Sequence, residues 1–221
     1  MLEIACFNLA SVTVATKAGA DRIELCDDYL AGGVTPSITS RNNITEAITI
    51  PINIMIRPRA GHFNYSTAEF EQMKSDIKLH KSWANGFVFG ILDSTNRVDE
   101  RNQELVQLAD PLPCTFHRAI DEVEDLDEAV ETVIAYGFKS ILTSGGMKNA
   151  IQGAERVAVL QKTHGEKIQL ILGGGVRGIN ALELKRKTGV DWLHSAAITK
   201  SGEEVDYEEV VKIKDVLKDY Y

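Results

Sequence analysis

The chain has 221 residues, 44% of them hydrophobic and 25% charged, a balance that excludes a largely disordered polymer. Its formal net charge of −8 argues against a nucleic-acid partner, because an acidic surface repels a phosphate backbone. No apolar run approaches the roughly 20 residues of a membrane helix, and no basic, apolar leader opens the sequence. A cytoplasmic protein with no membrane partner is therefore expected.

Short apolar runs recur along the chain at intervals of roughly 25–30 residues, each followed by a helical pattern, which is the spacing of repeated β-α units. The first strand is expected over residues 2–7, with a helix ending at Ala18-Gly19. Strand two is 22–26, and Ser37 is placed to cap a helix running to about residue 48. Strand three, 52–56, opens onto Arg57-Pro58-Arg59-Ala60-Gly61-His62, and a helix over 67–83 follows. Strand four is 86–92, with a helix over 100–109; strand five is 114–117, with a helix over 126–136 stopped by Gly137. Strand six is 140–142 with a helix over 150–163, and strand seven is 168–172 with a helix over 180–187. Strand eight is 190–194, and a helix over 207–217 closes the chain. Eight strands alternating with eight helices, with no linker or composition break, predict an α/β fold: one (β/α)8 TIM barrel forming a single domain over residues 1–221.

In a barrel of this kind the loops after the strands build the site. Alternation directs Arg22, Glu24 and Cys26 inward and sends Ile23 and Leu25 against the helices. Asn53, Met55 and Arg57 share one face of strand three, and Thr115 and His117 share one face of strand five. Buried charges must pair, and a structural Glu3–Arg22 pair low in the barrel is one expected solution. Glu24, Arg57, Asp93, His117 and Asp121 are the candidate catalytic residues, with His117 as the acid–base group because histidine titrates near working pH. Arg57 and Arg59, stiffened by Pro58, suit a carboxylate or phosphate. Arg118, Ser144, Gly175, Arg177, His194 and Ser195 complete the candidate ligand-binding set, the glycine run 173–175 offering backbone N–H groups to an anion. His80 and His164, on helices, are expected at the surface. No strand ends in a lysine suited to a Schiff base, no organic-cofactor motif is evident, and no HxH, HExxH or CxxC is present.

Cys6, Cys26 and Cys114 are too few and odd in number for a disulfide framework and read first as buried small hydrophobes. Cys6 and Cys26 end neighbouring strands, where two thiolates suit a soft ion such as Cu(I). Parity opposes this, since an inward Glu3 turns Cys6 outward.

Six segments, Gly19-Ala20-Asp21-Arg22-Ile23-Glu24-Leu25-Cys26, Gly32-Gly33-Val34-Thr35-Pro36-Ser37, Ile56-Arg57-Pro58-Arg59, Thr115-Phe116-His117-Arg118-Ala119, Leu142-Thr143-Ser144-Gly145 and Gly175-Val176-Arg177, resemble the CutC copper-homeostasis family in order along nearly the whole chain. The resemblance implies a cytosolic barrel that self-associates as a dimer or tetramer, with copper as its ligand and Cys6 and Cys26 at the positions proposed for Cu(I). The chain departs from the family at Ala60-Gly61-His62, where Gly-Gly-Asp is frequent, and at Ile120, where Phe is usual. Three functions are left open: a copper-binding protein using Cys6 and Cys26, an acid–base enzyme acting on a small anionic metabolite at the rim, and a binding scaffold without turnover.

Overall fold

Strand residues alternate between two environments, and this alternation builds the molecule. In a computed structural model that describes residues 1–37, 48–218 and Tyr220, eight strands form one closed parallel barrel in sequence order. They are β1 (Leu2–Cys6), β2 (Arg22–Leu25), β3 (Ile52–Met55), β4 (Gly86–Phe89), β5 (Cys114–Phe116), β6 (Ser140–Thr143), β7 (Gln169–Leu172) and β8 (Trp192–Ser195). Closure is made by β1, which pairs with β2 through Glu3↔Arg22 and with β8 through Glu3↔His194.

Seven α-helices surround the barrel among the described residues: α1 (Leu9–Lys17), α2 (Thr67–His80), α3 (Arg101–Ala109), α4 (Leu126–Ala135), α5 (Ala150–His164), α6 (Ala181–Thr188) and α7 (Tyr207–Lys218). The helix expected after Ser37 falls mostly outside the described residues. Local chemistry sets several starts. Asn8 accepts the Ser11 N–H, Asp125 accepts from Asp127 and Glu128, and Ser66 with Glu69 forms a reciprocal capping box. A short 3-10 turn, Arg118–Glu122, follows β5. No helix among the described residues is long and apolar enough to cross a membrane.

The main core lies between strands and helices. It contains the outward residues Leu2, Ile4 and Cys6 of β1, Ile23 and Leu25 of β2, and Phe87, Phe89 and Phe116. Each such fully buried aromatic or aliphatic side chain stabilises the fold by about 1.5–3 kcal/mol relative to exposure. A smaller apolar group, Ala5, Phe7, Cys26, Met55, Val88 and Ile198, fills the inside toward the strand ends.

His80 and His164 are buried rather than exposed, at 1% and 4%. Both continue an apolar helical stripe: Phe70, Met73, Ile77 and His80 on α2, and Val157, Leu160 and His164 on α5, are spaced three and four apart and all buried. His80 packs edge-on against Trp83. Periodicity outweighs residue type at these positions.

Candidate functional site

The strand ends open onto a cavity of about 160 Å³ lined by Glu24, Cys26, Arg57, His117, Arg118 and His194 together with apolar side chains, among them Ala5, Phe7, Met55, Phe63 and Leu142. By volume it holds about five waters. Glu24 comes from β2, Arg57 and His117 from the residues just beyond β3 and β5, and His194 from β8. These strands have brought together residues from four separate parts of the sequence.

A column of charge runs below this cavity. Arg22 Nε donates to Glu3 Oε2 at 2.5 Å, His194 Nδ1 lies 2.8 Å from Glu3 Oε1, and His194 Nε2 lies 3.8 Å from Glu24 Oε2. Burial alone would raise the Glu3 pKa, but the His194 hydrogen bond and the Arg22 charge hold it below the ordinary glutamate value. Burial would lower His194, yet the Glu24 and Glu3 carboxylates raise it. Glu24 is raised by burial, against the opposing pull of His194. One atom each of Glu3, Glu24 and His194 lies within 4.8 Å of the others, a spacing open to a metal ion, although Arg22 already supplies positive charge there.

His117 is 4% exposed and sits between two packing constraints. Its ring lies 4.7 Å from the Phe63 ring. A Cβ on Gly90 would come within 2.7 Å of its Nδ1, so the strand can pass behind the ring only as glycine. The Ala119 N–H points to Nδ1 at 3.3 Å, which leaves the ring proton on Nε2. Burial, and then the Arg57 charge, lower its pKa to about 3, so the imidazole is neutral at pH 7.

Arg57 is 7% exposed, and its terminal nitrogens are engaged by backbone: Nη1 donates to Ala31 and Gly33 carbonyls, and Nη2 to that of Gly61. No carboxylate forms an ion pair with it among the described residues. The Tyr65 hydroxyl is near enough to feel its charge but makes no hydrogen bond of ordinary geometry with it. Three of the side chains lining this cavity each hold one buried polar atom with no partner among the described residues: Glu24 Oε1, Arg57 Nε and His117 Nε2. Buried polar groups are otherwise almost always paired.

The remaining sequence candidates lie elsewhere or are internally engaged. Arg59 binds Glu69 and the carbonyls of Ala60, His62 and Asn64, clasping its own loop. Asp93 lies on a different depression, with Thr95 and Arg97 donating to it. Asp121 accepts from Thr143 Oγ1, Ser144 N and Oγ, Gly146 N and Arg118 Nε. Ser144 Oγ also accepts from Arg118 Nη2. Arg177 donates to Val176 O, Ser195 Oγ and Ile198 O, Ser195 donates to Val176 O, and the Gly175 carbonyl accepts from Asn180. Cys6 packs in the outer core, with its thiol toward Ile4 O, whereas Cys26 faces the cavity, with its thiol 3.6 Å from Glu24 Oε2. Burial, and then the Glu24 charge, push both thiols well above the ordinary cysteine value. Sequence reasoning missed Phe63, which no pattern sets apart, and Gly90, just past the end of β4, which continues the inward alternation of Gly86 and Val88.

The fold and its cavity define a (β/α)8 barrel with a polar mouth at the C-terminal ends of its strands. Residues 1–199 match the model of the CutC family, and the chain belongs to that family. A mouse protein named copper homeostasis protein cutC homolog is 39% identical over 199 residues, covering 89% of this chain and 73% of that protein. A Caenorhabditis elegans protein of the same name is also 39% identical, over 89% of this chain and 80% of its own. The crystal structure of a CutC protein from Streptococcus agalactiae matches with a TM-score of 0.84 at 32% identity, over 90% of this chain and 99% of that one. Phosphoribosyl anthranilate isomerase from Thermococcus kodakaraensis, at 13% identity and a TM-score of 0.66 over 99% of this chain and 98% of that one, shares the barrel alone.

Proposed function

We propose that this CutC-family chain is a cytoplasmic acid–base enzyme that binds a small anionic metabolite in the barrel mouth. The observation that supports this reading is the set of three unpartnered polar atoms, Glu24 Oε1, Arg57 Nε and His117 Nε2, on side chains lining one cavity. A buried guanidinium without a carboxylate is costly, and an anion offsets that cost. Glu24, a carboxylate on the cavity wall whose pKa burial raises, is the group suited to exchange a proton with the ligand, while neutral His117 serves as a hydrogen-bond donor.

Thermal melts with pyruvate, hydroxypyruvate, dihydroxyacetone phosphate and inorganic phosphate test the binding. A ligand at a hundred times its Kd adds about 2.7 kcal/mol, which for a chain of this size raises Tm by about 5–10 °C. The gain should vanish in Arg57→Gln. No shift with any of the four removes the reading.

A second reading, Cu(I) binding within a role in copper homeostasis, is favoured by the position of Cys26 on the cavity wall and by the names of the relatives. It requires a thiol held protonated by burial to ionise. In a Cu(I) competition titration it expects Cys26→Ser to weaken binding. Equal affinity in wild type, Cys6→Ser and Cys26→Ser removes the thiolate site.

A further inference from the structure

Toward the cavity, His117 and Arg57 are suited only to donate. The His117 ring proton is on Nε2, because Nδ1 takes the Ala119 N–H, and a guanidinium Nε–H has no lone pair to offer. Phe63 packs against both groups, 4.7 Å from the His117 ring and 5.0 Å from the Arg57 guanidinium carbon. Two buried donors sharing one aromatic neighbour suit an oxygen that carries or gains negative charge. Glu24 is the opposite kind of group, a carboxylate lining the same cavity whose buried Oε1 has no partner among the described residues. Ala5, Phe7 and Met55 make the rest of the wall largely hydrocarbon, which strengthens electrostatics and protects a reactive anion from water. Among the described residues no lysine lines the cavity, so imine formation has no amine among them. The Cys26 thiol donates to Glu24 Oε2, and burial together with the Glu24 charge holds it in the protonated, non-nucleophilic form.

We propose that the ligand oxygen is a carbonyl held by His117 Nε2–H and Arg57 Nε–H, and that Glu24 removes a proton from the carbon beside it. This rests on the small-ligand reading above. The electron pair of the broken C–H bond becomes the new C=C bond, and the carbonyl π pair moves onto oxygen, giving an enolate between the two N–H groups. Glu24 carries the proton as a neutral acid. It returns the proton to the same carbon, which exchanges hydrogen with solvent. Where that carbon also carries a hydroxyl, the hydroxyl proton can pass to the enolate oxygen and the carbon-bound proton return to the adjacent carbon, leaving the carbonyl on the first carbon and isomerising the compound. No electrons leave the ligand and no co-reactant is needed. The substrate class is a short carbonyl compound with an acidic α C–H and an anionic group; Arg118, already paired with Asp121, also lines the cavity.

The test is loss of α-proton signals by NMR, with the full chain in D2O and pyruvate, hydroxypyruvate or dihydroxyacetone phosphate as probes. At least one probe should exchange a hundredfold or more above buffer. Glu24→Gln should return the rate to background, and His117→Phe should lower it about 100- to 1000-fold, with both folded by circular dichroism. A probe that raises Tm in wild type and not in His117→Phe, with no probe exchanging its α-proton, overturns the enolate and leaves the binding reading standing. No binding and no exchange overturns both. Exchange untouched by Glu24→Gln overturns the choice of base. If that variant fails to fold, exchange untouched by His117→Phe overturns the oxygen site on its own.

Discussion

The two sides of the barrel mouth use the same residue types to opposite ends. In the turn after β5 and at the ends of β6, β7 and β8, Arg118, Asp121, Ser144, Arg177 and Ser195 are tied into one another and into backbone. At the ends of β2, β3 and β5, Glu24, Arg57 and His117 each retain an atom unmatched among the described residues. An arginine or a carboxylate near a strand end is therefore poor evidence of ligand contact by itself. Asp121 and Glu24 looked alike in sequence, and what separates them is whether neighbouring N–H and O–H groups have already filled their lone pairs.

The largest expected effect tests the engaged side. Asp121→Ala leaves Thr143 Oγ1 and the Ser144 and Gly146 N–H groups without their acceptor, and should cost about 2–4 kcal/mol in urea unfolding. A loss below 1 kcal/mol would mean that this side is no more fixed than the other.

The next effect concerns the open side and pH. The His117 pKa is about 3 in the fold against an ordinary histidine value of 6.5, so between those values the unfolded chain binds the extra proton. Stability should rise with pH across that window and be lost on acidification, by up to about 1.4 kcal/mol per pH unit from this group, or roughly 2 kcal/mol at pH 5. His117→Phe should remove that component, so the variant's advantage over wild type grows as pH falls from 7 to 5. A constant difference across the range would refute the neutral, buried imidazole.

Gly90→Ala should follow, at about 1–2 kcal/mol of stability, because its methyl must displace the His117 ring. It should also weaken whatever binds at the mouth. Equal ligand-induced melting shifts in variant and wild type would show that ring position does not matter. The smallest effect sets the baseline: Lys218→Ala removes an exposed pair with Asp215 and should change stability by less than about 0.5 kcal/mol.

The barrel was legible because strand parity is a strict two-residue rule. Ile23 and Leu25 went to the helices and Cys26 to the interior, Cys6 took the opposite face, and the Glu3–Arg22 pair formed where β1 and β2 meet in register. Strand ends were less sharp: β4 stops at Phe89, and Asp93 follows in a turn closed by its own loop. Whether a polar side chain in a loop is engaged depends on backbone carbonyls from distant segments, such as Ala31, Gly33 and Gly61 around Arg57, and no spacing rule encodes those. Nor did residue type reveal that the histidine beside Arg57 would be neutral, since that follows from burial and a neighbouring charge. His80 and His164 were misplaced for the opposite reason: chemistry was weighed above a periodicity that was already visible.

Arg57 also has a consequence for motion. The guanidinium that offers Nε at the mouth also clips the Ala31–Gly33 turn to Gly61, and so joins two loops that are separated in sequence. Occupancy and loop order are then linked equilibria: anything that immobilises this side chain protects both loops, and anything that loosens either loop lowers affinity by the same factor. Amide hydrogen exchange at Gly32 and Gly33, whose N–H groups close the turn onto Tyr29 and Asp28, becomes a reporter of a filled mouth that needs no knowledge of what fills it.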